Sequence, residues 1–455
     1  MFTLPDLIAW SGAVPEGPLP ETFPCLSTDT RDLPAGCLFL ALRGERFDGH
    51  DFAAQAVAAG AGAVVADRNA TLPAGLPVLR VADTARALRD LAAGWRAKVD
   101  PFVLGVTGSV GKTTVKELSA QLLGALGPVA KTRGNWNNDL GLPKSILAMP
   151  EETRFAVLES GTNHPGEIAP LAALMRPDAA ILTNVGPVHI GNFGTEERIA
   201  DEKANLLRAV PPEGFAVLDA TGAHFAFLQR QPSARVIAVS PDPATDADYV
   251  AVAADPATGA FSVREAATGD VRELRAPQPG AHQIGNALLA LAAARALGVG
   301  WDAIADRLAS ARGERMRWER CERAGAVWIN DAYNANPISM RRSLETFVAT
   351  PCDGRRIAVL GDMGELGDAE ETLHRGIGAV AASLRPDLLV CVGPRAAWIG
   401  DEAVRLGLPA SAVLRAPDAP AAGVLLAGLV RPGDLVLLKA SRSVALEHAL
   451  PPSEA

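Results

Sequence analysis

The run Thr107-Gly-Ser-Val-Gly-Lys-Thr-Thr114 sets two glycines, a lysine and several hydroxyls between an apolar strand-like stretch and a helical pattern. Gly108 and Gly111 let backbone N–H groups turn inward on an anion, and a helix N-terminus adds positive potential. Lys112 has the reach to meet the outer phosphates of ATP, and Thr113 carries a hydroxyl placed to ligate Mg²⁺. Ser109, Val110 and Thr114 complete the loop expected to bind ATP. The first glycine of the usual G-x4-G-K-[ST] pattern would fall at Val106, so the loop is a variant that turns on Gly108 and Gly111.

A metal held beside such a loop needs an acid, and Glu159 ends a buried strand downstream, the usual place for it. His189 follows the next strand end in Asn184-Val-Gly-Pro-Val-His, where a histidine can serve a metal or a phosphate. Lys203, in Asp201-Glu-Lys-Ala, reads on its own as a solvated helix lysine. Arg133-Gly-Asn-Trp-Asn-Asn-Asp and Gly161-Thr-Asn-His gather many amide donors, which turn chemistry alone could also explain.

Buried strands must position these groups. Phe102–Thr107, Phe155–Glu159, Ala179–Asn184, Phe215–Asp219 and Val236–Ser240 are short apolar runs with helical patterns such as Val115–Leu126 and Glu197–Val210 between them. That alternation predicts a parallel α/β sheet, whose chemistry gathers at the strands' carboxyl ends, where Thr107, Glu159, Asn184 and Asp219 stand. Residues 246–280 alternate like a small antiparallel insertion, and a helix is expected over Gln283–Leu297. Residues 1–98 hold shorter strand-like pieces and two helix patterns, the second over Thr84–Lys98. Residues 313–455 repeat the alternation at Val327–Asn330, Ile357–Gly361, Leu388–Gly393 and Leu435–Lys439. Three α/β domains are therefore expected, at 1–98, 99–312 and 313–455, consistent with 455 residues of which 48% are hydrophobic.

The totals exclude several classes. A formal net charge of −9 argues against a general nucleic-acid binder. No apolar stretch approaches the ~20 residues of a membrane span, and the N-terminus lacks the basic and apolar regions of a secretory signal. Five scattered cysteines without a CxxC pair read as reduced thiols in a cytoplasm.

Thr107–Thr114, Gly134–Pro143, Glu159–Ile168, Thr183–His189 and Gly280–Asn286 resemble the Mur ligase family. Asp331-Ala-Tyr-Asn-Ala-Asn-Pro-Ile-Ser-Met340, Leu360–Gly367, Ser27–Arg31 and Gly44–Phe52 are similar to the members that add D-Ala-D-Ala to a UDP-N-acetylmuramoyl-tripeptide. The resemblance covers all three blocks. It implies an N-terminal domain for the UDP end of that substrate, a central ATPase domain and a C-terminal Rossmann-like domain that closes over both. It also implies ligation through an acyl phosphate, in peptidoglycan precursor synthesis for the cell wall, by a cytoplasmic monomer.

By matched positions, Thr113 and Glu159 would hold one Mg²⁺, and His189 and Lys203 a second, with Lys203 carrying an N-carbamate. Lys112, His189 and Lys203 would be the catalytic set. Asn286 would read the adenine, and Arg317 and Asp331 would reach the nucleotide. Thr28, Thr30, Arg31 and Arg46 would line the UDP pocket, and Asn138, Asn334 and Asn336 would meet the other substrate groups. The family commonly has Lys-x-Glu where this chain has Lys203-Ala-Asn205, which leaves that acid's role open. A sibling activity that adds one diamino acid would be marked by Asp-Asn-Pro-Arg, which is absent. A P-loop NTPase that drives motion would leave the N-terminal motif unexplained.

Overall fold

The computed structural model describes residues 1–44 and 47–452, so Arg46 lies outside the described residues. The five predicted central strands form one sheet. From one edge it runs Val129–Lys131, Phe155–Glu159, Phe102–Thr107, Ala179–Leu182, Phe215–Asp219, Arg235–Ser240 and Tyr249–Asp255, all parallel. Ala260–Glu265 and Val271–Arg275 extend it antiparallel to nine strands. The expected insertion at 246–280 is therefore a continuation of the main sheet. Phe102–Thr107 sits where the chain's progress across the sheet reverses, the switch point at which such sheets bind ligands. Register sets Glu159 beside Val106 and Leu182 beside Thr107, so three strand ends meet there.

The helix Lys112–Leu123 starts three residues earlier than the apolar pattern suggests, because its first turn is the polar end of the phosphate loop. It buries Val115, Leu118, Leu122 and Leu123 in one core with Ile284, Leu288 and Leu291 of the helix Ala281–Ala296. A six-stranded sheet builds the C-terminal part: Glu319–Arg323, Ala326–Asn330, Leu435–Lys439, Arg356–Gly361, Leu388–Val392 and Val413–Ala416, parallel except for its first member. A smaller sheet of five strands lies within residues 14–81. In it Cys25 and Cys37 are joined as a disulfide across neighbouring strands, with Cα atoms 4.7 Å apart, which corrects the expectation of five reduced thiols. Cys321, Cys352 and Cys391 are free.

The three sheets are not joined alike. The helix Thr84–Val99 carries Leu88, Leu91 and Trp95 into an apolar cluster with Leu142, Ile146, Met149 and Met175 of the central part. Trp95 Nε1 donates to the Met149 carbonyl at 3.0 Å, and Arg96 Nε to that of Met175 at 2.9 Å. The N-terminal and central sheets thus share a core. Among the described residues no buried apolar cluster spans the central and C-terminal sheets, which meet through polar groups, closely approaching backbone and the Ile338 side chain seated on Gly186. None of the described helices is long and apolar enough to cross a membrane.

Trp95 is buried against Phe2, at 4.5 Å between ring centroids, and against Trp10 at 6.4 Å. Trp95→Ala should remove about 3–5 kcal/mol from the shared core. In urea, a transition of the first two sheets should move to lower concentration, while the fluorescence of Trp318, Trp328 and Trp398 reports a C-terminal transition that stays in place. An unmoved midpoint for both would contradict the shared core.

Candidate functional site

The loop after Phe102–Thr107 is clamped from the neighbouring strand end. Ser109 N donates to the Asn184 carbonyl at 2.9 Å and Val110 N to Asn184 Oδ1 at 3.0 Å. The Val110 carbonyl accepts from Thr183 Oγ1 at 2.6 Å and from Asn184 Nδ2 at 2.8 Å, while Ser109 Oγ donates to the Gly186 carbonyl at 3.1 Å and accepts from Gly186 N at 3.0 Å. Gly108 has φ +148, and a Cβ there would lie 1.9 Å from Thr183 Oγ1. Gly111 has φ +87, and a Cβ would lie 2.6 Å from Asn286 Oδ1. Both glycines are required by close approach as well as by backbone conformation.

Lys112 opens the helix and folds back, its Nζ donating to the Gly108 carbonyl at 2.9 Å. Burial, with Arg317 adding to it against the pull of Glu159, holds its pKa below the ordinary lysine value. Thr113 Oγ1 accepts from Arg317 of the C-terminal domain at 3.1 Å, and that guanidinium lies over the Tyr333 ring at 4.1 Å. Thr114 follows at the cavity wall.

Glu159 is 1% exposed. Its Oε1 accepts from Asn137 Nδ2 at 2.7 Å, and its Oε2 has no hydrogen-bond partner among the described residues. The fully buried Lys116 approaches that oxygen at 4.0 Å while donating to the Thr132 carbonyl at 2.8 Å. A buried carboxylate oxygen with no hydrogen-bond partner among the described residues, in a cavity that Thr113 also lines, offers oxygen donors that suit a hard cation such as Mg²⁺.

His189 has φ +57, and its Nδ1 lies 2.6 Å from Glu365 Oε2 of the C-terminal domain. Burial and the positive charges of Lys112 and Lys203 depress its pKa against the pull of Glu365. Lys203 is 3% exposed and, among the described residues, pairs with no carboxylate within salt-bridge distance. Burial and the nearby Lys112 hold its amine well below the usual lysine range. The solvated reading of Lys203 is thereby overturned. The neighbouring Glu202 caps the helix Ile168–Met175, accepting from Gly166 N at 2.8 Å and Ile168 N at 2.7 Å. Asn205 turns elsewhere, accepting from Arg208 at 3.1 Å.

Most of the predicted groups, though not Lys203, line a cavity of ≈770 Å³ between the central and C-terminal domains. It gathers the loop from Ser109 to Thr114, Glu159, His189, Asn286, Arg317 and Asp331, together with Asn138, Asn334 and Asn336. Three of these are engaged locally. Asp331 accepts from Lys439 Nζ at 2.7 Å, Ser343 Oγ at 2.5 Å and Trp318 N at 3.1 Å, so both its oxygens are in use. Asn336 caps the helix Pro337–Ala349 in a reciprocal box with Ser339, and Asn138 accepts from Gly141 N at 2.8 Å.

Thr28, Thr30 and Arg31 are not brought to this cavity. They sit in a turn where Arg31 N donates to Asp29 Oδ1 at 2.9 Å and the Arg31 guanidinium folds onto the same carboxylate. Sequence reasoning passed over Lys116, Asn137, Arg342, Glu365 and Lys439. Lys116 lies on an apolar helix face, and Asn137 and Glu365 stood inside motifs already noted. Arg342 and Lys439 carried no local signal. Burial, helped by Arg342, pushes the His282 pKa down to about 4, so this end of the cavity holds a neutral imidazole beside a cation.

With this geometry in place, comparison with known proteins is informative. Family models described as "Mur ligase family, catalytic domain", "Mur ligase middle domain" and "Mur ligase, glutamate ligase domain" match residues 22–96, 106–294 and 315–442. A UDP-N-acetylmuramoyl-tripeptide–D-alanyl-D-alanine ligase from Synechocystis sp. is 37% identical over 429 residues, covering 92% of this chain and 90% of that protein. This chain belongs to the Mur ligase family. Among solved structures, a MurF from Acinetobacter baumannii has a TM-score of 0.88 at 32% identity, covering 98% of this chain and 97% of its own. A MurF ligase from Thermotoga maritima in complex with ADP has a TM-score of 0.79 at 29% identity, covering 93% and 96%.

Gly108→Ala tests the loop clamp. Its Cβ must displace Thr183, so binding of a non-hydrolysable ATP analogue should weaken at least about tenfold, a loss of ~1.4 kcal/mol. Calorimetric titration with circular dichroism checks this. Unchanged affinity in a folded variant would show that the clamp does not shape the loop.

Proposed function

We propose that this protein is an ATP-dependent, amide-bond-forming ligase that joins D-Ala-D-Ala to a UDP-N-acetylmuramoyl-tripeptide in peptidoglycan synthesis. One observation carries the reading: the phosphate loop and the Asp331–Met340 segment line the same cavity, so nucleotide and amine sites adjoin. The domains are assigned as 1–98 for the UDP-muramoyl-peptide, 99–312 for ATP and 313–455 for closure and the amine substrate. Thr28, Thr30 and Arg31 fit the first role as a polar turn away from the cavity. A cytoplasmic monomer that uses neither nucleic acid nor membrane completes the reading.

The chemistry follows from charge. The tripeptide's terminal carboxylate attacks the γ-phosphorus of ATP, ADP leaves, and the acyl phosphate's carbonyl is then attacked by the dipeptide amine as phosphate departs. A free carboxylate is a poor electrophile and phosphate a good leaving group. Both transition states collect negative charge, which Lys112, Arg317 and the loop amides can neutralise. Asn286, which lies beside Gly111, would meet the base, and Asp331 would reach the ribose after exchanging its present partners. Thr113 and Glu159 would hold one Mg²⁺, with the unpartnered Glu159 Oε2 supporting that role. His189 and Lys203 would hold a second, Lys203 as a carbamate. Bound there, Mg²⁺ supplies charge neutralisation and orients the phosphates. The depressed pKa of Lys203 supports the carbamate, because only the neutral amine adds to CO₂, releasing a proton.

Two experiments test this. Purified protein with UDP-muramoyl-tripeptide should release ADP with D-Ala-D-Ala, and mass spectrometry should find the pentapeptide product. D-Ala, meso-diaminopimelate and L-Lys should give little. Product from a single diamino acid on the dipeptide acceptor, with none from D-Ala-D-Ala, would move the activity one step earlier. For Lys203, protein equilibrated with ¹³C-bicarbonate should show a carbamate resonance that Lys203→Ala lacks, and that variant should lose most activity, partly restored by formate. No such resonance in the wild type would sink the carbamate.

A further inference from the structure

We propose that Glu365 is a positioning residue that latches the C-terminal domain to the central domain through His189, and so registers closure at the phosphoryl-transfer site. The proposal rests on the ligase reading of the cavity.

The loop carrying Glu365 is pinned one residue after another. Asp362 Oδ1 accepts from Ala396 N at 2.7 Å, Met363 N donates to the buried His374 Nε2 at 2.9 Å, and Gly364 N donates to Ser441 Oγ at 2.9 Å. Ser441 N returns a bond to the Asp362 carbonyl at 3.0 Å, and its hydroxyl donates to the Ala335 carbonyl at 3.2 Å. Glu365 then stands at φ +60, a left-handed conformation that crowds the Cβ of any residue other than glycine. Such strain persists where the surroundings over-determine it, and it points to a function for the strained residue.

What Glu365 faces is strained in the same way. His189 has φ +57 on the central domain, and 2.6 Å separates the two side chains. Behind them the backbones nearly touch, since a Cβ on Gly191 would lie 3.1 Å from Gly367 Cα. Glu365 is 59% exposed and has no other salt-bridge partner among the described residues. Its one close contact with a titratable side chain therefore crosses the cleft. Because no buried apolar cluster spans these domains, such polar contacts decide how they close. A histidine that ligates a metal through one ring nitrogen commonly gives the other to a carboxylate, which fixes the ring. Glu365 Oε2 lies 2.6 Å from Nδ1, close to but outside hydrogen-bond geometry, so a small ring or carboxylate rotation would complete the bond and Nε2 would be the nitrogen open to a cation. His189 would then be held correctly only when the C-terminal domain has arrived.

The test uses the full chain and its Glu365→Ala and Glu365→Gln variants. Small-angle scattering with a non-hydrolysable ATP analogue and UDP-muramoyl-tripeptide should give a larger radius of gyration for the Ala variant than for wild type, with the Gln variant close to wild type. Its kcat should fall about ten- to hundredfold, while KM for ATP changes less than about threefold. The exposed side chain makes misfolding an unneeded explanation, and a thermal melt checks it. A Glu365→Ala protein as compact as wild type under the same ligands overturns the latch, whatever its kcat. Failure of the wild type to ligate would instead count against the ligase reading, and the scattering comparison would still stand.

Discussion

The bonds from residues 183–186 to the Gly108–Gly111 loop are the constraint on which the site rests. A phosphate loop needs its amides aimed inward before the anion arrives, since reorganising them on binding would consume the affinity they supply. Here the neighbouring strand end fixes the loop's path, Thr183 and Asn184 together holding the Val110 carbonyl while Asn184 accepts from the Ser109 and Val110 amides, so that the amides from Gly111 onward are left to face the anion. The clamp works only because parallel register brings Leu182 level with Thr107. It also explains why a variant with Val106 in place of the first glycine is tolerated. Val106 is a fully buried strand residue, and the turn begins two residues later at Gly108.

Rigid and mobile parts follow from how the cores are divided. A shared core containing Trp95, Leu91, Ile146 and Met149 fastens the first two domains by burial that no small ligand can offset. The third domain meets the second through Arg317 on Thr113, Glu365 beside His189 and Gln278 on the Arg317 carbonyl. Each such bond contributes on the order of 1 kcal/mol net. A triphosphate that contacts both walls of the cavity can therefore shift that equilibrium through its differential affinity alone.

Much of this was legible in advance. The apolar runs fixed the buried strands because a parallel strand covered on both faces leaves a continuous apolar signature. Glu159 and the loop could be placed because they terminate such runs. Three kinds of feature were hidden. Short edge strands such as Val129–Lys131 and Val413–Ala416 lack enough residues to show a period. Asn336 looks like a ligand in a motif yet serves as a helix cap, a role that depends on where Pro337 starts the helix. Lys203 looked solvated because its helix is otherwise strongly charged, and only packing shows that its face turns inward.

Charge closes the account of the site. The chain is acidic overall, yet its cavity sets Lys112 and Arg317 with one buried carboxylate whose second oxygen has no hydrogen-bond partner among the described residues, and the buried Lys203 lies near Lys112. Like charges in a poorly solvated space repel, and both lysines respond by giving up protons more readily. On the proposed reading this frustration is relieved twice. A triphosphate reverses the field at Lys112 and restores its preference for the charged form. Carbamylation changes Lys203 from a base beside a cation into an anion beside one, so its interaction with Lys112 turns from repulsive to attractive. Asn205 does not offset the repulsion, since it lies two residues along the helix and bonds Arg208 instead. In this chain, then, the one opposing charge on Lys203 comes from Glu202 on its own helix, and burial beside Lys112 outweighs it.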